Sequence, residues 1–320
     1  MGRYFLRRLV ISVPVLLFVT LIAFALVNLA PGDPVTAMIN PATRAELGPE
    51  WVEERQKALG LDRPVVYRYG IWLKEVVQGN LGYTLIGGQS VSDQIKVRIG
   101  PTLLLMFSAI TLGTMIGIPL GMYSAIRPNS GTDYALTIFG FLAISTPVFF
   151  LGLAGMYIFA VHLRWLPTSG MRTLGVPKST GDLIQHMILP VTVLALVHIP
   201  LVMRYTRASM IETLRQDFVT TARAKGMKER AVIFWHAFRN ALIPLITIIG
   251  LSLPELLSGA VITETIFQWP GMGLLAIRAV NSRDYPLVLG VILVTACMVL
   301  ISNLISDLFY AVADPRIRYK

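Results

Sequence analysis

Read for hydrophobic and polar positions, the chain alternates between long apolar runs and polar segments. Leu9–Ala30 contains no charged residue. A membrane-crossing helix needs about 20 apolar residues, and a signal-peptide core has only about 7–15. The run is therefore expected to be an uncleaved first span. Five more spans are expected at Thr102–Ile126, Tyr134–Val161, Met187–Met203, Ala241–Ile262 and Leu287–Tyr310. This predicts an all-α membrane protein with six transmembrane helices. It divides into a tail and first span (1–30), a polar insert (31–100), a five-helix core (101–310) and a second tail (311–320).

The insert reads as helical. PGDP at Pro31–Pro34 stops the first span. Pro49–Leu59 is a helix closed by Gly60, and Pro64–Gln78 is another, with proline in its first turn and Gly79 past its end. Ser90 and Asp93 can cap a third, Val91–Ile99. Its basic and acidic residues balance, which suits a cap over a pore or a plain packing element. The other long polar segment, 204–240, is strongly basic. It holds Arg204, Arg207, Arg215, Arg223, Lys225, Lys228, Arg230 and Arg239 against Glu212, Asp217 and Glu229. Asp217 is expected to cap a short helix Phe218–Lys225 that Gly226 ends in the left-handed conformation. Lys228–Phe238 resumes a helix with Val232, Phe234, Trp235 and Phe238 as its apolar side. The result is a compact knob with Thr221, Ala222 and Ala224 on its surface, where another backbone can come close.

Composition agrees. The chain is 54% hydrophobic and 14% charged, against about 25% charged in soluble proteins. The net charge of +10 would suit nucleic acid, but the basic residues gather at span ends and in one loop, so no nucleic-acid partner is expected. With six spans, Arg3, Arg7, Arg8, Arg127, the central loop and Arg316, Arg318 and Lys320 share one side. Short loops on the other side hold only Arg164, Arg172, Lys178, Arg278 and Arg283. By the positive-inside rule both termini are cytoplasmic and the insert is extracytoplasmic. Trp165, Trp235 and Trp269 fall beside span ends, where aromatic belts sit.

Gly113, Gly117 and Gly121 repeat at four-residue spacing, a face for close helix packing in lipid. Prolines interrupt five spans, at Pro14, Pro119, Pro147, Pro190 with Pro200, and Pro244 with Pro254. Ionisable groups inside spans are few. Glu255 and then His198 are the candidates for a translocation path; the competing readings are a hydrogen-bonded Glu255 and a packed His198. Cys297 stands alone in an apolar span, so no internal disulfide forms. No metal-ligand cluster or nucleophile motif occurs. GMRTLGVPKST at Gly170–Thr180 lacks the spacing of a phosphate loop. No cofactor is expected in this chain, and an ATP-driven cycle would need a partner subunit.

TARAKGMKERAVIFWHAFRNALIP, together with MGRYFLRRL, PGDP, LLSGAVITETIFQWPGMG and DLFYAVADPRIRY in that order, resembles the B-type permease subunit of dipeptide, oligopeptide and nickel ABC importers. The broader family writes its loop EAA-x3-G, then I-x-L-P. Here the first block holds Thr220, Thr221, Ala222 and Gly226, and the second holds His236–Arg239. The resemblance implies the type I importer permease fold. It further implies a second permease as heterodimer partner, two cytoplasmic ATPases carrying ATP and Mg, and an extracytoplasmic solute-binding protein. Asp217, Thr221, Ala222, Arg223, Ala224, Lys225, Gly226, His236, Arg239 and Asn240 would then couple the pore to the ATPases. The substrate would be a di- or oligopeptide, with nickel and glutathione as alternatives. Rivals of another class are an ion-gradient transporter and a membrane scaffold that moves nothing.

Overall fold

The computed structural model describes residues 2–29, 35, 41–58, 60 and 62–313. The Pro31–Pro34 turn, Leu59 and the basic tail from Asp314 lie outside them, as do some side chains within helices, that of Glu255 included. Among the described residues the fold is helical, with one isolated bridge between Tyr83 and Ser90 and no strand. The helices are α1 Gly2–Leu29, α2 Pro41–Ala58, α3 Val65–Val77, α4 Val91–Ile126, α5 Gly131–Ser145, α6 Val148–Gly155, α7 Thr180–Leu214, α8 Asp217–Ala224, α9 Arg239–Ile266, α10 Met272–Asn281 and α11 Tyr285–Ala313. π-helical turns Met156–His162 and Val232–Phe238 follow α6 and precede α9.

Among the described residues four stretches are long and apolar enough to cross a membrane: Val10–Leu29, α4, α7 and Tyr285–Leu308. The number reaches six when each of two bent pairs is taken as one span. One pair is α5 with Val148–His162, bent by 98°; the other is Glu229–Leu242 with Pro244–Ser252, bent by 51°. The sharper bend replaces the single kinked helix expected over Tyr134–Val161. Proline crowds the residue before it out of the helical region. Thr146 accordingly turns extended (ψ 122°), and Pro147 starts a new helix.

Two helices run further than their apolar stretches suggest. α4 begins at Val91, where the Asp93 N–H donates to Ser90 Oγ at 3.4 Å, and continues through Gly100 and Pro101 to Ile126. A proline's fixed φ is helical, so the chain can pass through it for the loss of one hydrogen bond. α7 starts at Ser179, whose hydroxyl accepts from the Asp182 N–H. It carries Arg204–Leu214, assigned above to a loop, as three more turns.

The chain forms two compact units. The first comprises residues up to Pro101 with Gly271–Leu300. Its core packs Val91 and Ile95 of α4 against Met272, Leu275 and Ala279 of α10 and Leu287, Val288 and Val291 of α11. α10 was not anticipated, although Met272, Leu275 and Ala279 keep helical spacing after an extended Gly271. Asp284, 2% exposed, ties the α10–α11 joint to the insert. Its Oδ2 accepts from the Leu85 N–H at 2.9 Å and its Oδ1 from the Leu287 N–H at 3.2 Å.

The second unit comprises Thr102–Pro270 and residues from Ile301 onward. Within it α4 packs closely on α7. A methyl on Gly113 would stand 2.7 Å from His198 Cδ2, on Gly117 2.8 Å from Val202 Cβ, and on Gly121 2.5 Å from the Met203 carbonyl oxygen. Both rows ascend together, so α4 and α7 run parallel. The chain therefore returns between them, and α5–α6 with its π-helical turn is the apolar segment available to do so. Trp269, expected in an interfacial belt, is instead fully buried with Leu105, Ala109, Val191 and Leu194. The facing stretches of α4 and α7 enclose it. Trp165 and Trp235 remain 69% and 72% exposed.

Candidate coupling surface

α7 ends at Leu214, and Gln216 rather than Asp217 takes the cap position of α8, in extended backbone with no side-chain cap. Asp217 is the first helical residue instead, so its acid faces the N-terminal turn without occupying the cap. Its carbonyl oxygen accepts from Thr221 Oγ1 at 2.9 Å. α8 closes in a Schellman turn. The Met227 N–H reaches the Ala222 carbonyl at 3.3 Å and the Gly226 N–H reaches that of Arg223 at 2.9 Å, with Gly226 at φ +76°. Across this turn Arg223 Nη2 and Nε grip Glu229 at 2.7 and 3.2 Å. The knob is thus held twice, by backbone at Gly226 and by an ion pair over it.

Its inner face is Val219, Ala222 and Val232, packed with Leu214. Ala222 is 5% exposed and serves the knob's own core rather than its surface. The expected apolar side is also corrected. Val232, Ile233 and Ala237 are buried, while Phe234 and Trp235 are 57% and 72% exposed. The π winding of this stretch explains it. Bonds from i to i+5 bring residues five apart, here Val232 and Ala237, onto one face. Exposed on the knob are Asp217, Thr221, Arg223, Ala224, Lys225 and Gly226; Arg239 and Asn240 are exposed past the π turn, and His236 is half-buried. Asn240 Nδ2 caps the His236 carbonyl at 2.7 Å. The exposed surface is basic and mostly polar.

The path candidates separate. Glu255 lies on α9 with its side chain outside the described residues. His198 is 4% exposed against Gly113, and its Nε2 has no partner among the described residues. Sequence reasoning missed three buried acids among the described residues: Asp284, described above, Glu264 and Asp133. Glu264, fully buried at the end of α9, accepts from Thr102 Oγ1 at 2.6 Å. Asp133 is held by Arg207, Ser124 and the Asn129 N–H. An acid among apolar neighbours, VITETIF, was the available signal for Glu264. Ser130, three residues before Asp133, marks it locally as part of a helix cap, but not its pairing with Arg207, which lies on another helix.

The profile of the binding-protein-dependent transport system inner membrane component matches residues 117–319, and that of the N-terminal part of the same components matches residues 1–106. The chain belongs to this family. This permease is 46% identical to a peptide permease protein of Brucella ovis over 99% of both chains. It is 41% identical to the oligopeptide transport system permease protein AppB of Bacillus subtilis over 100% of both. Among solved structures it resembles a chain of the MetNI methionine ABC transporter, with a TM-score of 0.55, 15% identity, and 69% of this chain and 96% of that one covered. That likeness is one of fold. The permease is a multi-pass inner-membrane protein of the ABC importer permease fold.

Proposed function

We propose that this permease forms half of the translocation path of an ATP-driven peptide importer. A second permease of similar fold completes the pore, two cytoplasmic ABC ATPases carry the nucleotide and Mg, and an extracytoplasmic binding protein delivers the peptide. Both termini and the knob then face the cytoplasm. The observation that carries this reading is the knob itself, a basic exposed surface built on α7 in a chain matched end to end by permeases named for peptides. The knob would dock on the ATPases, and their closure would swing α7 and turn the pore outward. Such coupling requires that the docked surface prefer one ATPase arrangement over the other.

The test is reconstitution of the whole complex in proteoliposomes with labelled di- and oligopeptides. Uptake is expected only with ATP and the binding protein. Gly226→Pro, which forbids the left-handed turn, is expected to abolish uptake while the permease still inserts. Uptake without hydrolysis, or undiminished uptake by the variant, would overturn the proposal.

A further inference from the structure

The first unit contains a cavity of about 490 Å³ walled by the end of α1, by α3 and by the start of α11. Two donors belonging to its lining residues have no acceptor. Arg68 Nε and Trp72 Nε1, one turn apart on α3, are buried and hydrogen-bonded to nothing among the described residues. A buried donor left unsatisfied loses more than a satisfied one gains, so such a pair calls for an acceptor. The indole is seated by rings 6.1 Å away at Phe24 and 6.0 Å away at Tyr69. Tyr69 is in turn fixed to Thr20 by a 3.0 Å hydrogen bond.

The lining says what the acceptor is attached to. Lys57, Arg63 and Arg68 face a single acid, Glu75, whose carboxylate already takes Asn80 Nδ2 at 2.8 Å. The excess charge is positive, and arginine is suited to phosphate. Phe24 and Leu289 supply an apolar wall from α1 and α11. Both stretches are long and apolar enough to cross a membrane, and the cavity touches each near its end, with Trp72 and Tyr285 beside it. Trp and Tyr at span ends mark the bilayer–water boundary. An occupant that is anionic at one end, apolar at the other and present at that depth is a lipid.

We propose that this cavity is a site for one anionic glycerophospholipid from the leaflet at the C-terminal end of α1. The excess positive charge of Lys57, Arg63 and Arg68 draws its phosphodiester, a small turn of the Arg68 and Trp72 side chains opens their sealed Nε and Nε1 to its oxygens, and its first acyl carbons lie on Phe24 and Leu289. The readout is lipid retention, so it stands or falls independently of transport.

The test uses the permease purified with its partner subunits, washed in detergent to remove loosely held lipid and then exposed to phosphatidylglycerol or phosphatidylcholine vesicles. Native mass spectrometry counts the lipid kept. One phosphatidylglycerol per copy of this chain is expected. Arg68→Gln and Trp72→Phe should each weaken retention about tenfold or more. Trp72→Phe keeps the ring stack, and Arg68→Gln provides the same reading should the first fail to assemble. Equal retention by wild type and variants would mean annular lipid only and would overturn the site. Equal retention of phosphatidylcholine, or displacement of the lipid by millimolar inorganic phosphate or by a peptide, would overturn it as well.

Discussion

Arg207 closes a fork on Asp133 from 74 positions away, Nε to Oδ1 and Nη2 to Oδ2, each at 2.8 Å. The two partners are not equally dependent on the bond. The Asp133 side chain is 4% exposed and that of Arg207 is 33% exposed. If the pair breaks, water can reach the arginine but not the carboxylate.

Arg207→Ala is therefore expected to destabilise the permease by about 3 kcal/mol, because a buried charge loses its counterion. Asp133→Asn, which keeps one acceptor oxygen, should lose about 1–2 kcal/mol. The double variant Asp133→Ala/Arg207→Ala should lose less than the sum of its single variants. Half-lives against thermal inactivation in detergent check the order.

The glycine seam allows a graded test. Gly121→Ala pushes a methyl to 2.5 Å from the Met203 carbonyl oxygen and 2.6 Å from Thr206 Cβ. Backbone cannot yield as a side chain can, so about 1–3 kcal/mol of overpacking is expected, with reduced yield of folded protein. Gly140→Ala meets the far end of a flexible side chain, Met203 Cε at 3.2 Å, and should be nearly neutral. Thermal melting of the two variants side by side decides.

At Gly226 nothing lies within 4 Å of an added methyl, and φ is +76°. Gly226→Ala should thus express backbone strain alone, about 1 kcal/mol, and Gly226→Asn should be milder, since asparagine tolerates this region. Breaking the neighbouring Arg223–Glu229 pair, 44% and 56% exposed, should change stability by less than about 1 kcal/mol. Melting curves of Gly226→Ala, Gly226→Asn and Arg223→Ala test the ranking.

Burial pushes the Asp284 carboxyl above its ordinary value of 3.8, against the pull of the Leu287, Ile86 and Leu85 N–H groups. A folded-state value above the unfolded one means that the folded state binds more protons between the two. The contribution to stability is complete below the ordinary carboxylate range and is lost as pH rises through the raised value. Asp284→Asn keeps an acceptor without the charge. The difference in melting temperature between wild type and Asp284→Asn should therefore shift in the variant's favour from pH 4 to pH 7; an unchanged difference would count against the assignment.

Much of the helical plan was legible because its signals are local. Apolar runs, the Ser90 cap and the left-handed Gly226 each depend on a few neighbouring residues. What escaped depends on distant partners or on winding. The bend at Thr146–Pro147 needed a choice between kink and break that hydropathy does not contain. Phe234 turned outward because a π turn shifts the face by a residue, which a period of 3.6 does not anticipate, and Ala222 turned inward because α8 packs that face on Val232 of the next segment. Trp269 reads as interfacial by position and is buried because Leu105 and Ala109 of α4 and Val191 and Leu194 of α7, distant in sequence, close around it. Asp133 pairs across 74 residues, beyond the reach of any motif.

The parallel contact of α4 with α7 is one-sided: bare backbone on the first, all the bulk on the second. Genetic repair should inherit that asymmetry. Intragenic suppressors of Gly113→Ala should arise at His198, where a smaller group removes the ring, whereas for Gly117→Ala they should be scarce, since the Val202 Cβ at 2.8 Å persists in every residue but glycine and the Ile199 carbonyl oxygen at 3.0 Å persists in all. For Gly121→Ala no single replacement can remove the obstruction, since every amino acid at position 203 brings the same carbonyl oxygen.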